Sequence, residues 1–334
     1  MRLHPLALAV SACIFSVSQA AHAQQPAAVS ETALRAHLSF LADDLLEGRG
    51  TGQRGGDLAV RYLETQAALI GLKPIPGGGY RQKVEIEGSK LLTGSATFTA
   101  GGKTFKPALG KGIVMGTKSG NENLSFDAPL VFVGYGAAAP EEKWDDYKGL
   151  DAKGKILVMM VDDPQPTAEE PNRFAGKAYT WYGRWVYKFE EAARRGAAGV
   201  LLIHTTPSSS YPWSVPANGF GNERFGLKGP GNPMEGWLHE DTARELFAAG
   251  GHDLDKLRAQ AERRDFRPVD LKVAGHVELR SAIRPVEQFN VIGIVPGTDA
   301  KLKEQAVVYS SHWDHMGMAE LKAGDDPKAD RIYN

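Results

Sequence analysis

The chain has 334 residues, of which 42% are hydrophobic and 24% are charged, and this composition excludes an intrinsically disordered protein. Basic and acidic side chains nearly balance, with a formal net charge of −1, and no basic stretch is interleaved with aromatic residues. We therefore expect no nucleic-acid partner. The length allows one large domain or two of ordinary size.

The N-terminus has the features of a secretion signal. Arg2 precedes an apolar run from Leu6 to Val17, and Ala21-His22-Ala23 places small residues where a signal peptidase cleaves. The apolar run is too short to cross a bilayer, so we expect no transmembrane span. The pattern predicts a signal peptide over residues 1–23, cleavage after Ala23, and a periplasmic or secreted protein.

A lipid anchor is the alternative for this N-terminus. Val10-Ser11-Ala12-Cys13 fits a bacterial lipobox, but the apolar stretch before Cys13 is short, so a lipoprotein is the less favoured prediction. Cys13 is the only cysteine of the chain. Cleavage after Ala23 would leave a protein without disulfides, which suits the periplasm if the core supplies the stability.

Two helices joined by a glycine-rich turn are predicted next. The second helix runs from about Asp57 to Ile70 and ends at Gly71. The turn, Glu47 to Gly52, could suggest a phosphate-binding loop, but no strand precedes it and no Gly-Lys-Ser/Thr follows, so a connection between helices is favoured. The first helix has Ser30 as N-cap and carries four leucines on one face: Leu34, Leu38, Leu41 and Leu45.

Short strands and helices follow as far as residue 297. Helices are predicted up to Gly196 and around Leu246 and Leu257, and Thr206 to Pro233, rich in Pro, Gly and Ser, is predicted as a long irregular loop. A cluster of Trp181, Tyr182, Trp185 and Tyr187 has helical spacing that favours core packing over a peptide groove. Apolar runs predict strands at 80–87, 130–136, 155–161, 200–203, 271–279 and 290–297.

The segment that begins at His312 has the composition of half a metal site. It follows the apolar run Ala306 to Tyr309, which is predicted as a buried strand. Because side chains alternate along an extended chain, His312 and Asp314 should lie on the same side. An imidazole can bind zinc there while a carboxylate two residues later accepts its ring N–H or holds the local geometry.

Several segments in order resemble one family. Phe289 to Gly297 followed by Val307 to Gly317 resembles the opening of the catalytic domain of co-catalytic zinc exopeptidases, the bacterial aminopeptidase and glutamate carboxypeptidase-like group, peptidase family M-twenty-eight. Leu41 to Gly52 is typical of its exported members. Residues 131–135, 151–156 and 191–200 resemble the protease-associated domain that is inserted in such enzymes.

This resemblance implies an α/β fold with a mixed sheet sandwiched by helices, a zinc-peptidase (phosphorylase/hydrolase-like) domain that is incomplete here, and an inserted β-rich protease-associated domain. The implied division is a signal peptide at 1–23, the first helices and strand of the peptidase domain at 24–94, the inserted domain at 95–279, and the start of the catalytic domain at 280–334.

The resemblance also assigns the site. His312 matches the first zinc ligand, Asp314 matches the carboxylate that accompanies it without binding metal, and His315 has no ligand role. A bridging aspartate, a Glu-Glu pair, an acidic ligand and a final histidine would follow Asn334, so the chain resembles one cut before its second zinc ligand. The remaining histidines are predicted to be structural: His37, His204, His239, His252 and His276.

The implied function is that of an exported zinc aminopeptidase, which removes N-terminal residues from a peptide substrate with water activated by two Zn²⁺ ions. Cobalt or manganese could occupy such ligands. The loop from Tyr211 to Phe225 is a candidate for substrate contact. A chain with only the first ligand segment is expected to be inactive alone, and a non-catalytic binding or scaffold protein on the same framework is the alternative. The sequence carries no signal for an oligomeric state.

We predict that the mature protein begins at Gln24. Small residues at Ala21 and Ala23 direct the peptidase there, and N-terminal sequencing of protein from a periplasmic extract measures the result. Recovery in the detergent phase with a fatty-acylated N-terminal cysteine would instead establish Cys13 as the anchor and contradict the prediction.

Overall fold

The computed structural model describes residues 29–321, 324 and 326–333. The signal peptide, its cleavage site after Ala23 and the alternative anchor Cys13 lie outside these residues and stay predictions. Among the described helices, none is long and apolar enough to cross a membrane.

The described part of the chain folds into helices and strands that alternate through its middle, with two very long strands near the ends. The α-helices are α1 (Glu31–Leu41), α2 (Arg54–Leu69), α3 (Trp185–Arg194), α4 (Thr206–Ser209), α5 (Ser214–Gly221), α6 (Glu240–Ala249) and α7 (Leu254–Ala261). The strands are β1 (Arg81–Ala100), β2 (Lys103–Phe105), β3 (Ile113–Gly116), β4 (Asn123–Phe132), β5 (Ala138–Ala139), β6 (Trp144–Asp145), β7 (Ile156–Met160), β8 (Gly199–His204), β9 (Arg224–Leu227), β10 (Met234–His239) and β11 (Val269–Val291).

Nine of these strands form one mixed sheet. Its order is β2-β1-β11-β4-β7-β8-β10-β3, with β9 added beside β1. Strands β4, β7, β8 and β10 are parallel to one another, and the remaining pairs are antiparallel. A small second sheet pairs β5 with β6. The expected α/β fold with a large mixed sheet is therefore confirmed.

Helices cover both faces of the parallel strands, which explains why β7 and β8 are buried along their whole length. Side chains that alternate along β7 enter two separate cores, Ile156 and Val158 on one face and Leu157 and Met159 on the other. The first core packs against α6 and α7, and the second packs against α3 and α5. The predicted strands at 155–161 and 200–203 correspond to these two buried strands.

The two longest strands, β1 and β11, pair antiparallel from Arg81 opposite Val291 to Thr99 opposite Ala274. A register shift between Leu91 and Thr93 marks a bulge. Both strands run without a break through the positions proposed as domain boundaries, 94/95 and 279/280. The division into four segments, with an inserted protease-associated domain, stays a prediction.

Two sequence expectations about the middle of the chain were wrong. The segment Thr206 to Pro233 is not an irregular loop, because it contains α4, α5 and β9. Its content of Pro, Gly and Ser predicted a loop, but Pro207 lies in the first turn of α4, where its missing N–H costs no hydrogen bond. The single helix expected around Leu246 and Leu257 is two helices, α6 and α7.

Two further expectations, near the ends of the described chain, were met only in part or not at all. Helix α1 begins at its predicted cap, where Ser30 Oγ accepts a hydrogen bond from Ala33 N at 3.2 Å, but it ends at Leu41, so Leu45 lies beyond it. The run Ala306 to Tyr309 is not a buried strand, and Val308 is 80% exposed. A strand needs a neighbour for its backbone groups, and none of the described residues pairs with this run.

A buried lysine ties the ends of two central strands together. Lys188 of α3 is 0% exposed, and its ammonium donates to the carbonyl oxygens of Tyr135, which follows β4, and Asp162, which follows β7, the latter at 3.1 Å. Burial lowers the pKa of Lys188 to about 8, although the nearby carboxylates of Asp163 and Asp146 oppose the change. Burial in turn raises the pKa of Asp146 to about 7.

We predict that Lys188→Met lowers the free energy of unfolding by about 3 kcal/mol, because two buried carbonyls lose a charged donor and nearby carboxylates lose a counter-charge. Urea denaturation at pH 7 measures the change. Lys111→Met, at an exposed position, is the matched control and should be neutral. A loss below about 1 kcal/mol for Lys188→Met would contradict the role assigned to this lysine.

Candidate metal-ligand segment

The imidazole of His312 is held by the residue two positions later. Its Nδ1 lies 2.7 Å from the backbone oxygen of Asp314 and 3.3 Å from the Oδ1 atom of the same residue. A carbonyl oxygen can only accept, so Nδ1 carries the proton, and Nε2 of the neutral ring keeps its lone pair. The His312 side chain is 80% exposed. The arrangement therefore presents Nε2 as an available electron-pair donor.

The carboxylate of Asp314 has a second partner from the other end of the chain. Its Oδ2 accepts a hydrogen bond from Thr51 Oγ1 at 3.1 Å. Asp314 thus connects His312 to the glycine-rich turn. Contacts of this kind fix the orientation of a liganding imidazole in metal sites. The structure places the two predicted residues side by side, and their roles stay predictions.

The glycine-rich turn runs alongside the His312 segment as a short parallel bridge. His315 N donates to Arg49 O at 3.1 Å, and Gly317 N donates to Gly48 O at 3.0 Å. A parallel bridge pairs Gly50 with His315. The turn is the expected connection between α1 and α2, and it also anchors residues 313–318. His315 takes part through its backbone.

Side chains of the turn complete this anchor. Arg49 Nε donates to the carbonyl oxygen of Trp313 at 2.9 Å, and the same guanidinium donates to Leu41 O at the end of α1. Gln53 Oε1 accepts from Met318 N at 3.4 Å. One arginine therefore joins the end of the first helix, the turn and the His312 segment.

Close backbone approach explains the glycines of this region. Gly48 has φ +65°, and a Cβ atom there would lie 2.5 Å from Gly317 O. At Gly56, in the first turns of α2, a Cβ atom would lie 2.5 Å from Gly50 O and 3.1 Å from the ring of Trp313. Trp313 is also held by its Nε1, which donates to Phe289 O at 3.1 Å. The glycines serve packing, which agrees with the sequence-based rejection of a phosphate loop.

The residues present do not make a complete zinc site. Within residues 29–321, 324 and 326–333, no group of three or more His, Cys, Asp or Glu side chains is arranged to hold a metal ion. Catalytic zinc sites use three protein ligands and an open position, whereas this segment offers one imidazole and one neighbouring carboxylate. The segment fits a single ligand position and its supporting acid.

Each of the histidines expected to be structural makes a hydrogen bond within the described fold. His204 is buried, its Nε2 donates to Tyr211 O at 3.0 Å, and burial lowers its pKa. Comparable bonds join His37 to Tyr62, His239 to Asp241, His252 to Asp270 and His276 to Asp127.

Sequence reasoning missed Arg49, Thr51 and Gln53 as partners of the His312 segment. The sequence correctly placed these three residues in a connection between two helices. That assignment does not predict which other segment of the chain they contact. The only signal in the sequence was the density of glycines, which marks a close approach without naming the neighbouring chain.

Comparison with known proteins gives only a distant likeness. No protein-family model and no curated protein matches the sequence. Among solved structures, an aminopeptidase from an Aneurinibacillus strain is 19% identical with a TM-score of 0.37, over 77% of this chain and 47% of that chain. A peptidase precursor of family M-twenty-eight from Shewanella amazonensis is 15% identical with a TM-score of 0.32, over 80% and 54%.

A third solved structure, a zinc aminopeptidase from Bacillus subtilis, is 14% identical with a TM-score of 0.28, over 79% of this chain and 46% of that chain. The chain thus spans about half the length of the structures to which it is similar. At these TM-scores the likeness is a remote one of fold.

We predict that Gly56→Ala destabilises the protein by about 1–3 kcal/mol, because the new methyl group overlaps Gly50 O and presses on Trp313. Thermal unfolding measures the loss, and faster hydrogen exchange at His315 N and Gly317 N locates it. The matched control is Gly219→Ala in α5, where a Cβ atom meets nothing within 4 Å. Equal stability of both variants would contradict the packing described here.

Proposed function

We propose that this chain carries the first metal-ligand segment of an exported zinc aminopeptidase, with a protease-associated domain inserted over 95–279. The observation that supports the proposal most is the orientation of His312. Its Nδ1–H is bonded at Asp314, whose carboxylate is held by Thr51, and Nε2 faces solvent-exposed space. This is how an imidazole is prepared to bind a metal.

The order of the sequence segments adds a second line of support. The glycine-rich turn before α2 and the His312 segment belong to the same sequence resemblance, and they are hydrogen-bonded partners in the fold. If the turn were a connection only, its contact with the predicted ligand segment would be a coincidence. We infer that the two segments act together to hold the His312 imidazole in the orientation that binds a metal ion.

The only chemistry assigned to this chain's residues is to bind one metal ion through His312 and to fix the orientation of its ring. Two bound zinc ions would supply an activated water in the reaction of a complete enzyme. The described residues provide His312 as one ligand and Asp314 to fix its ring, and no catalytic step is assigned to them. Zinc as the metal, a peptide as the substrate and export as the destination are parts of the proposal.

We predict that purified residues 24–334 bind Zn²⁺ at His312 with a Kd weaker than about 1 μM, because one imidazole supplies a fraction of the energy of a three-ligand site. Competitive titration against a chelating dye measures the affinity, and ¹⁵N NMR should show that His312 Nε2 shifts first. The same protein should release no p-nitroaniline from leucine p-nitroanilide.

His312→Ala should abolish the Nε2 signal change and weaken binding at that position, whereas His37→Ala, at an exposed histidine bonded to Tyr62, should change neither. Zinc binding that is unaffected by His312→Ala would contradict the ligand assignment. An intact binding site without hydrolysis in the longest natural form of the protein would favour a non-catalytic binding protein.

A further inference from the structure

A groove of about 560 Å³ lies on the face of the sheet covered by α3 and α5. Its walls come from these two helices and from β9, and Glu235 and Trp237 of β10 also line it. Its volume is in the range of ligand-binding clefts. The segment from Tyr211 to Phe225, which the sequence marked as a candidate for substrate contact, supplies much of its lining.

Exposed apolar side chains line this groove. Trp185 of α3 is 42% exposed and Phe225 of β9 is 38% exposed, and Val215 and Leu227 are exposed to a greater extent. The aromatic cluster at 181–187 is therefore divided, because Tyr187 is in the core whereas Trp185 lines the groove. Exposed tryptophan beside aliphatic side chains is the composition of a binding hot spot.

One wall of the groove is the open edge of a strand. Strand β9 pairs with β1 alone among the described strands. Lys228 N donates to Glu85 O at 3.1 Å, so the alternation of an antiparallel ladder turns the backbone groups of Phe225 and Leu227 away from β1. An open edge with exposed apolar side chains can accept an added strand.

The charges around the groove are mostly negative. Four glutamates line it against two basic residues, Lys118 and Arg224. Arg224 is committed to the buried Glu235 at 2.9 Å, and Glu223 is paired with Arg284 at 2.6 Å. Glu87 has no ion-pair partner among the described residues, and Glu190 has only Arg194 at 3.6 Å. The potential therefore favours a cationic partner over an anionic one.

We propose that this groove binds an extended peptide segment that combines apolar side chains with Lys or Arg, by strand addition to β9. The peptide backbone pairs with Phe225 and Leu227, its apolar side chains pack against Trp185, and its cationic side chains lie near Glu87 and Glu190. The site needs neither a metal ion nor a free peptide N-terminus. Binding of a blocked peptide without metal therefore distinguishes this site from the proposed aminopeptidase activity.

The test uses a fluorescein-labelled decapeptide of alternating Lys and Leu, acetylated at the N-terminus and amidated at the C-terminus, titrated with the purified protein in EDTA. The blocked terminus and the chelator remove any contribution from a zinc exopeptidase site. Fluorescence anisotropy should show saturable binding that weakens as salt is added. The matching Glu-Leu decapeptide should bind at least tenfold more weakly.

Variants locate the site. Trp185→Ala should weaken binding about tenfold or more, and Trp181→Ala, which removes an exposed tryptophan outside the groove, should leave binding unchanged. Leu227→Ser, at a residue 67% exposed, tests the strand edge without cost to the core.

A second set of variants tests the charge preference. The double variant Glu87→Gln with Glu190→Gln should weaken binding about fivefold, whereas the control Glu245→Gln should leave binding unchanged.

Equal affinity for the Lys-Leu and Glu-Leu peptides would overturn the charge preference. Absence of binding at 1 mM protein, or wild-type affinity in both Trp185→Ala and Leu227→Ser, would overturn the site. Circular dichroism of each variant confirms that a loss of binding is not a loss of fold.

Discussion

The antiparallel pairing of β1 with β11 is the constraint on which the rest of this structure depends. Over residues 274–280, β11 pairs with β1 on one side and β4 on the other, and this part belongs to the main sheet. Beyond Ser281 the two strands continue as a ribbon. A two-stranded ribbon is marginally stable alone, so its persistence requires packing along its length.

That packing comes from the segments that the ribbon positions. Strand β9 adds to one edge of β1, and the glycine-rich turn approaches so closely that a Cβ atom at Gly52 would lie 2.8 Å from Val286. At the end of the ribbon, Lys73 and Ile294 form an isolated antiparallel bridge. The ribbon therefore connects the buried parallel sheet to the N-terminal helices and to the chain that leads to His312.

The sequence correctly predicted the elements that depend on interactions between residues close together in the chain. The Ser30 cap, the glycine-rich connection and the apolar runs of β7 and β8 were all read correctly, because capping, turn chemistry and complete burial leave a mark within a few residues. Val307 and Val308 were read as buried on the same grounds and were wrong. Burial of a strand depends on a neighbour elsewhere in the fold, and an apolar run does not reveal whether that neighbour exists.

The candidate site divides in the same way. His312 and Asp314 could be found from spacing and resemblance, since they are two residues apart. Arg49 and Thr51 could not, because nothing in a single sequence pairs residues that are more than 260 positions apart. The groove shows the same division. Trp185 was noticed from the sequence as part of an aromatic cluster, but its neighbours on β9 lay in a segment that was predicted to be irregular.

The contact between the turn and Trp313 also has a consequence for the time course of biosynthesis. Arg49 and Trp313 are separated by 264 positions, and at about 5–20 residues per second the second is made on the order of 13–50 s after the first. During that interval the Arg49 guanidinium lacks its bond to Trp313 O. The left-handed backbone at Glu47 and Gly48 likewise lacks the hydrogen bond from Gly317 N to Gly48 O. The turn between the two N-terminal helices therefore lacks the contacts that hold it until residues 313–318 have been made.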